Sequence, residues 1–232
     1  MITIRKSDER GRAWHGWLES RHTFSFASYH DPMHMGFRSL RVINEDKVEA
    51  GKGFAAHSHR DMEIISYVVE GSLEHRDSMG NGSVVRRGDV QLMRAGIGVT
   101  HSEYNHSRES PLHFLQIWIV PDQTGLAPAY EQLHFTPDEL TNTLRCVVSP
   151  QADPASLRIH QDASMFVGLL DAGSEVGREL VPGRHAWIQI VSGKARVGGA
   201  AVEAGDGAAV RDESHINIEA EAATELLFFD LA

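Results

Sequence analysis

Short β-rich runs, each closed by a turn residue, follow one another along most of this chain, and helical signals are scarce. Runs of Val, Ile, Leu, Phe and Trp bounded by Gly, Asn, Asp or Pro read as strands. The expected strands are Leu40–Ile43, Met62–Val69, Val90–Met93, His113–Val120, Trp187–Val191, Ala195–Val197 and Glu225–Leu231. Their breaks hold Gly71, Asn81-Gly82, Gly88-Asp89, Pro121, Gly193, Gly198-Gly199 and Gly205-Asp206. The one clear helix signal begins at Thr136, with Pro137 at the first helical position and Glu139 placed to close a capping box. It predicts a single short helix in an otherwise all-β chain.

The two halves rhyme. The run from Tyr67 to Glu74 reads strand, Gly71, strand; the run from Ile190 to Val197 reads strand, Gly193, strand. Each is followed by a second glycine turn, at Gly88-Asp89 and Gly205-Asp206, and then by a short apolar run. A strand–turn–strand unit used twice points to a duplicated jelly-roll barrel rather than one larger sandwich. A length of 232 residues accommodates two small domains. The expected division is an N-terminal domain over residues 1–134 and a C-terminal domain over 135–232, joined in the segment from Pro128 to Pro154.

Charge narrows the function classes. The formal net charge is −10 and the densest basic run is Arg86-Arg87, so the chain lacks the electrostatic footprint of a phosphate-backbone binder. Direct nucleic-acid binding is not expected. No apolar run reaches the ~20 residues of a membrane-spanning helix, and the first residues lack the apolar core of a secretory signal. With a single cysteine, Cys146, no intramolecular disulfide is available, and the expected compartment is the cytoplasm. Histidine stands out at 14 residues, several of them between His57 and His113.

Within that stretch, His57-Ser58-His59 and His101-Ser102-Glu103 each place two potential ligands two residues apart. On a strand, such residues point to the same face. If the two strands lie together inside a barrel, three imidazoles and a carboxylate converge, a set suited to Fe(II), Mn, Ni, Cu, Co or Zn. Glu63, three intervening residues beyond His59, is a competing carboxylate, and spacing alone does not choose between it and Glu103. In the second half, His185 and His215 have no His-x-His partner and read as surface or packing histidines.

The frames around these motifs resemble the two signatures of the cupin superfamily: Gly51, His57, His59 and Glu63 for the first, Gly98, His101 and Asn105 for the second. Two positions depart from the pattern. Gly71 falls one residue late, and Gly96 stands where a proline is expected. Longer runs narrow the resemblance to the pirin family, in its bacterial quercetin 2,3-dioxygenase or pirin-like branch. They include His22 to Tyr29, Asp31-Pro32, Met35 to Phe37, Leu40 to Val42, Asp61 to Ile64, Asp77 to Gly80, Ala95 to Gly98, His101 to Asn105 and Leu115 to Trp118.

The resemblance covers essentially the whole chain and implies two tandem cupin barrels, that is, double-stranded β-helices of the jelly-roll kind. It implies one divalent metal, Fe(II) before the others, held by His57, His59, His101 and Glu103 in the first barrel, with Glu63 outside the ligand set. It makes the second barrel structural. It implies a dioxygenase that opens a flavonol such as quercetin with dioxygen and releases carbon monoxide, with Glu103 as both ligand and base for the 3-hydroxyl proton. Two other outcomes stay open: a metal-dependent enzyme on another small substrate, and a non-catalytic iron or redox sensor that binds a partner protein. Phe24, Phe26, Met93, Phe114, Gln116 and Trp118 lie near the motifs or on inward-facing candidate strands, as core or as pocket wall.

Overall fold

The computed structural model describes residues 1–151 and 153–232, which form two compact units, Gly11–His134 and Met1–Arg10 with Phe135–Ala232. In the first unit a seven-stranded sheet runs, edge to edge, β12 (Ala129–His134), β9 (Asp89–Arg94), β6 (Glu63–Glu70), β11 (Leu112–Ile119), β4 (Leu40–Val48), β3 (Leu18–His22), β2 (Gly11–Trp14). A four-stranded sheet runs β5 (Gly53–His59), β10 (Val99–Asn105), β7 (Ser72–Asp77), β8 (Gly82–Arg86). In the second unit the seven-stranded sheet is β1 (Ile2–Arg5), β20 (Gly207–Val210), β17 (His185–Ser192), β22 (Thr224–Leu231), β15 (Ala163–Leu170), β13 (Arg145–Ser149), β14 (Leu157–Arg158). Its four-stranded sheet is β16 (Glu175–Glu179), β21 (His215–Ala220), β18 (Lys194–Val197), β19 (Ala200–Glu203). Every pairing between these strands is antiparallel except β13–β14.

Eight consecutive strands repeat. β4 to β11 and β15 to β22 occupy the same places in the same order, so β9-β6-β11-β4 answers to β20-β17-β22-β15 and β5-β10-β7-β8 to β16-β21-β18-β19. The fold is therefore all-β, two tandem jelly-roll barrels of the cupin type. The expected strands all form and mostly extend by a few residues. The helix from Pro137 to Leu140 starts as its sequence requires, with the Thr136 N–H donating to Glu139 Oε2 at 2.8 Å. None of the helices among the described residues is long and apolar enough to cross a membrane.

The expected boundary at the chain start needs correction. Residues 1–10 belong to the second unit, not the first. Ile2 and Ile4 pack against the second unit's core, β1 pairs with β20, and Lys6 Nζ meets the buried Asp206 carboxylate at 2.7 Å. A long-range pairing of this kind leaves no mark on local sequence.

The two interiors differ. In the second barrel, Phe166, Phe228, Ile188 and Ala208 form one registered row across β15, β22, β17 and β20, inside a continuous apolar core. In the first, a row across the corresponding strands is polar: Asn44, Gln116, Ser66 and Gln91 on β4, β11, β6 and β9, extended by His22 on β3. All five are buried. The row separates two apolar clusters, one around Val48, Val68 and Phe114 and the other around Ile64, Met93 and Val99. Burying polar groups is costly unless they are hydrogen-bonded, so a sheet that places them on its inner face does so at a site rather than in a core.

Candidate metal centre

Strand geometry assembles the site. His57 and His59 alternate onto one face of β5, and His101 and Glu103 onto one face of β10. The two strands are neighbours, with His101 opposite His57 and Glu103 opposite Phe54. β5 therefore spends one residue more than β10 over that interval, a bulge. The extra residue turns Phe54 to the same side as His57 although three positions separate them, and both line one cavity.

The three imidazoles meet at their Nε2 atoms. His101 Nε2 stands 3.0 Å from that of His59 and 3.1 Å from that of His57. A metal binds imidazole nitrogen at about 2.1 Å, which sets neighbouring donors at right angles roughly 3.0 Å apart. The spacing thus fits three ligands on one face of an ion. His57 Nδ1–H donates to the Ala55 carbonyl at 2.8 Å, which leaves its Nε2 lone pair toward the cluster. Burial, followed by the neighbouring imidazoles, pushes His101 down to about 3; burial and then His57 push His59 down to about 4. Both stay neutral at physiological pH and are available as ligands.

Glu103 is buried beside them, with Oε2 3.9 Å from His101 Nε2. Gln116 Nε2 donates to its Oε1 at 3.1 Å, and Ser66 Oγ approaches the same oxygen at 3.4 Å. Burial, helped by the nearby Asp46 and opposed by those hydrogen bonds, raises the Glu103 carboxyl to about 7. The competing carboxylate lies elsewhere: Glu63 on β6 accepts from Arg94 Nε at 3.2 Å. On the far side of His101, β7 supplies His75, buried and with its imidazole pKa lowered by that burial, and Asp77. Burial alone would raise Asp77, but bonds from Asn81, His75 and Met79 hold it below the usual carboxylate range.

A cavity of about 510 Å³ opens onto His57, His59 and Glu103. Its walls carry Trp17, Phe26, Phe54, Phe114 and Trp118, and its polar side carries Ser20, His22, Asn44, Asp46 and Gln116. Trp118 meets His59 edge to face at 5.0 Å and Phe26 at 5.4 Å. Of the residues singled out near the motifs, Phe26, Phe114, Gln116 and Trp118 line this space, whereas Phe24 and Met93 are buried away from it. Ser20, His22, Asn44 and Asp46 were not foreseen. Their signal was present, as polar residues two apart within strands that are otherwise apolar on the buried face.

Comparison with known proteins settles the family. The pirin family model matches residues 3–119, and a model described as the quercetinase C-terminal cupin domain matches 146–231. The chain belongs to the pirin family. A protein from Escherichia coli K12 named quercetin 2,3-dioxygenase is 47% identical over 231 residues, covering 100% of this chain and 99% of that protein. The crystal structure of the bacterial pirin YhhW from Escherichia coli in complex with nickel(II) superposes with a TM-score of 0.95 at 47% identity, covering 100% of this chain and 99% of that one. A pirin-like protein of Caulobacter vibrioides is 39% identical over the full chain. This member of the family has two cupin barrels, with a histidine cluster in the first. In the second barrel of this pirin, the place of β5 is taken by β16, whose Arg178 lies over the Phe166 ring at 4.0 Å and pairs with Asp230.

Proposed function

We propose that the chain is a metal-dependent dioxygenase that opens the central ring of a flavonol such as quercetin and releases carbon monoxide, with His57, His59, His101 and Glu103 as the ligands of one divalent ion. The observation that carries this reading is the convergence of three imidazoles and a carboxyl group on a cavity walled by aromatic rings. Similarity to a protein named quercetin 2,3-dioxygenase supports it. Fe(II) is the ion we assign first; the donor set also accepts Mn, Co, Ni, Cu and Zn. The second barrel, filled by a continuous apolar core, serves as structure in this reading.

The roles of the residues follow from their placement. When bound, the ion supplies Lewis acidity that lowers the pKa of the substrate hydroxyl, and open positions beside the three imidazoles. The aromatic walls hold a flat ring system by stacking and edge contacts and exclude water from the reacting end. Gln116 Nε2 donates to Glu103 Oε1 at 3.1 Å and to Oε2 at 3.4 Å, which orients the carboxyl group that would hold the ion and accept the 3-hydroxyl proton. Gln116 in turn fixes the plane of that carboxylate. Ser20, His22 and Asn44 offer donors and acceptors to hydroxyls at the polar end of the ligand.

The test is oxygen uptake and carbon monoxide release by the metal-loaded protein with quercetin, run beside a flavone lacking the 3-hydroxyl. Quercetin should yield carbon monoxide in step with its loss, and the flavone should not react. Equal carbon monoxide from the His57→Ala variant, or none from the loaded wild type, would reject the dioxygenase.

A further inference from the structure

His75 belongs to neither signature motif, yet it is 1% exposed inside the barrel and sits against the cluster. Its Nδ1 is 3.4 Å from His101 Nδ1, and its Nε2 is 3.1 Å from Asp77 Oδ2. Asp77 is itself pinned. Its Oδ1 accepts from the backbone N–H groups of Met79 and Asn81 at 2.9 and 3.0 Å, and its Oδ2 accepts from Asn81 Nδ2 at 2.9 Å. His75 and Asp77 side chains are 1% and 0% exposed.

The proton positions follow from this anchoring. A carboxylate only accepts, so His75 must place its proton on Nε2 and donate to Asp77. A neutral imidazole has one N–H, so His75 Nδ1 is an acceptor facing His101 Nδ1. His101 can satisfy that acceptor only with its own proton on Nδ1. Its Nε2 then carries a lone pair, aimed at the point where the Nε2 atoms of His57 and His59 meet.

We propose that His75, held by Asp77, is a positioning residue that locks His101 in the Nδ1–H tautomer and so presets its Nε2 to bind the metal. The inference rests on the ligand assignment proposed above. His75 and Asp77 act through His101 and touch neither metal nor substrate. The turn from Asp77 to Asn81 thereby becomes part of the metal site.

Substitutions at His75 separate this role from simple packing. The Oδ1 of an asparagine is bonded to Cγ, as is histidine Nδ1, so His75→Asn keeps an acceptor toward His101. The amide of His75→Gln lies one bond further out, toward Asp77, and His75→Leu has no polar group at all. Ni(II) affinity, measured on the full chain by competition with a chromophoric chelator, should fall about 10–100-fold in His75→Leu and His75→Gln and stay within about threefold of wild type in His75→Asn. Long-range ¹H–¹⁵N imidazole spectra of the metal-free wild type near neutral pH should show His101 protonated on Nδ1. Thermal melts of the metal-free variants confirm that each is folded. The wild-type spectrum tests the proposal even if a variant does not fold.

Undiminished Ni(II) affinity in a folded His75→Leu would overturn the inference, as would equal losses in His75→Asn and His75→Leu, or a His101 proton on Nε2. His57→Ala, measured alongside, distinguishes the two levels. If it retains Ni(II), the ligand assignment has failed; if it loses Ni(II) while His75→Leu does not, only the role of His75 has.

Discussion

An imidazole coordinates only through an unprotonated nitrogen, so a ligand histidine must stay neutral until the metal arrives. Burial and mutual crowding do this for His59 and His101, and backbone contact with Ala55 orients His57. Removing one imidazole leaves the site too few donors without disturbing the apolar clusters on either side. His57→Ala and His101→Ala should each abolish stoichiometric metal binding in a protein that still melts cooperatively. Glu103→Gln should weaken binding by removing an anionic donor. Glu63→Gln acts differently: it strands Arg94, and should lower stability by about 3 kcal/mol while the metal is retained. Elemental analysis and thermal melts of the four variants read this out. An empty site in Glu63→Gln beside a full one in Glu103→Gln would show that the carboxylate has been assigned wrongly.

At the scale of elements, the site depends on how closely β5 approaches β10. Gly53 makes that approach feasible. A Cβ built there would stand 2.2 Å from the Glu103 carbonyl oxygen and 2.5 Å from Tyr104 Cα, and backbone atoms cannot give way as a flexible side chain can. Gly53→Ala should therefore push β5 off its partner and separate His57 from His101. The expected cost is about 2 kcal/mol of stability, together with weaker metal binding. Gly82, on β8 of the same sheet, is the control: a Cβ there meets only the His75 carbonyl oxygen at 4.0 Å, so Gly82→Ala should change neither quantity appreciably. If both variants lose metal affinity equally, sheet propensity rather than strand approach is responsible. The bulge in β5 has the same local origin, since a regular pairing would turn Phe54 away from the cavity.

Across the whole molecule, one topology is used twice, once around a polar-lined cavity and once around a continuous apolar core, and the cost of the cavity should show in the pH dependence of the metal-free protein. His59 and His101 are neutral in the fold at about 4 and 3, against 6.5 for a free imidazole. Below pH 6.5 the unfolded chain takes up protons that the folded chain refuses, so their contribution is complete above that value and is lost as pH falls. Glu103 opposes them. Raised from 4.5 to about 7, it is protonated in the fold where the unfolded chain is ionised, and it favours the fold as pH falls toward 4.5. Two imidazoles outweigh one carboxyl, leaving a loss of about 1 kcal/mol per pH unit near pH 5.5 from these groups. Denaturant unfolding of metal-free wild type and His101→Ala between about pH 7 and 5 checks this. The variant should lose most of that slope; an unchanged slope would mean that His101 is not held neutral by the fold.

Sequence alone settled what depends on short spacing. Alternation of side chains along a strand put His57 with His59 and His101 with Glu103, and the repeated strand–glycine–strand pattern marked the duplication. Thr136, Pro137 and Glu139 marked the short helix for the same reason, because a capping box is closed within a single turn. Tertiary structure decided whatever depends on which strands become neighbours. β5 and β10 lack the apolar alternation that marks a strand, because their inward positions hold ligands and polar residues instead of core. Spacing left Glu63 and Glu103 equivalent; only the pairing of β6 with β9 gives Glu63 to Arg94 and leaves Glu103 beside the imidazoles. The same holds for β1, which joins β20 at a separation of some two hundred residues. His75 reaches His101 only because β7 is the neighbour of β10. Periodicity fixes the face on which a residue lies, and non-local hydrogen bonding between strands fixes what that face meets.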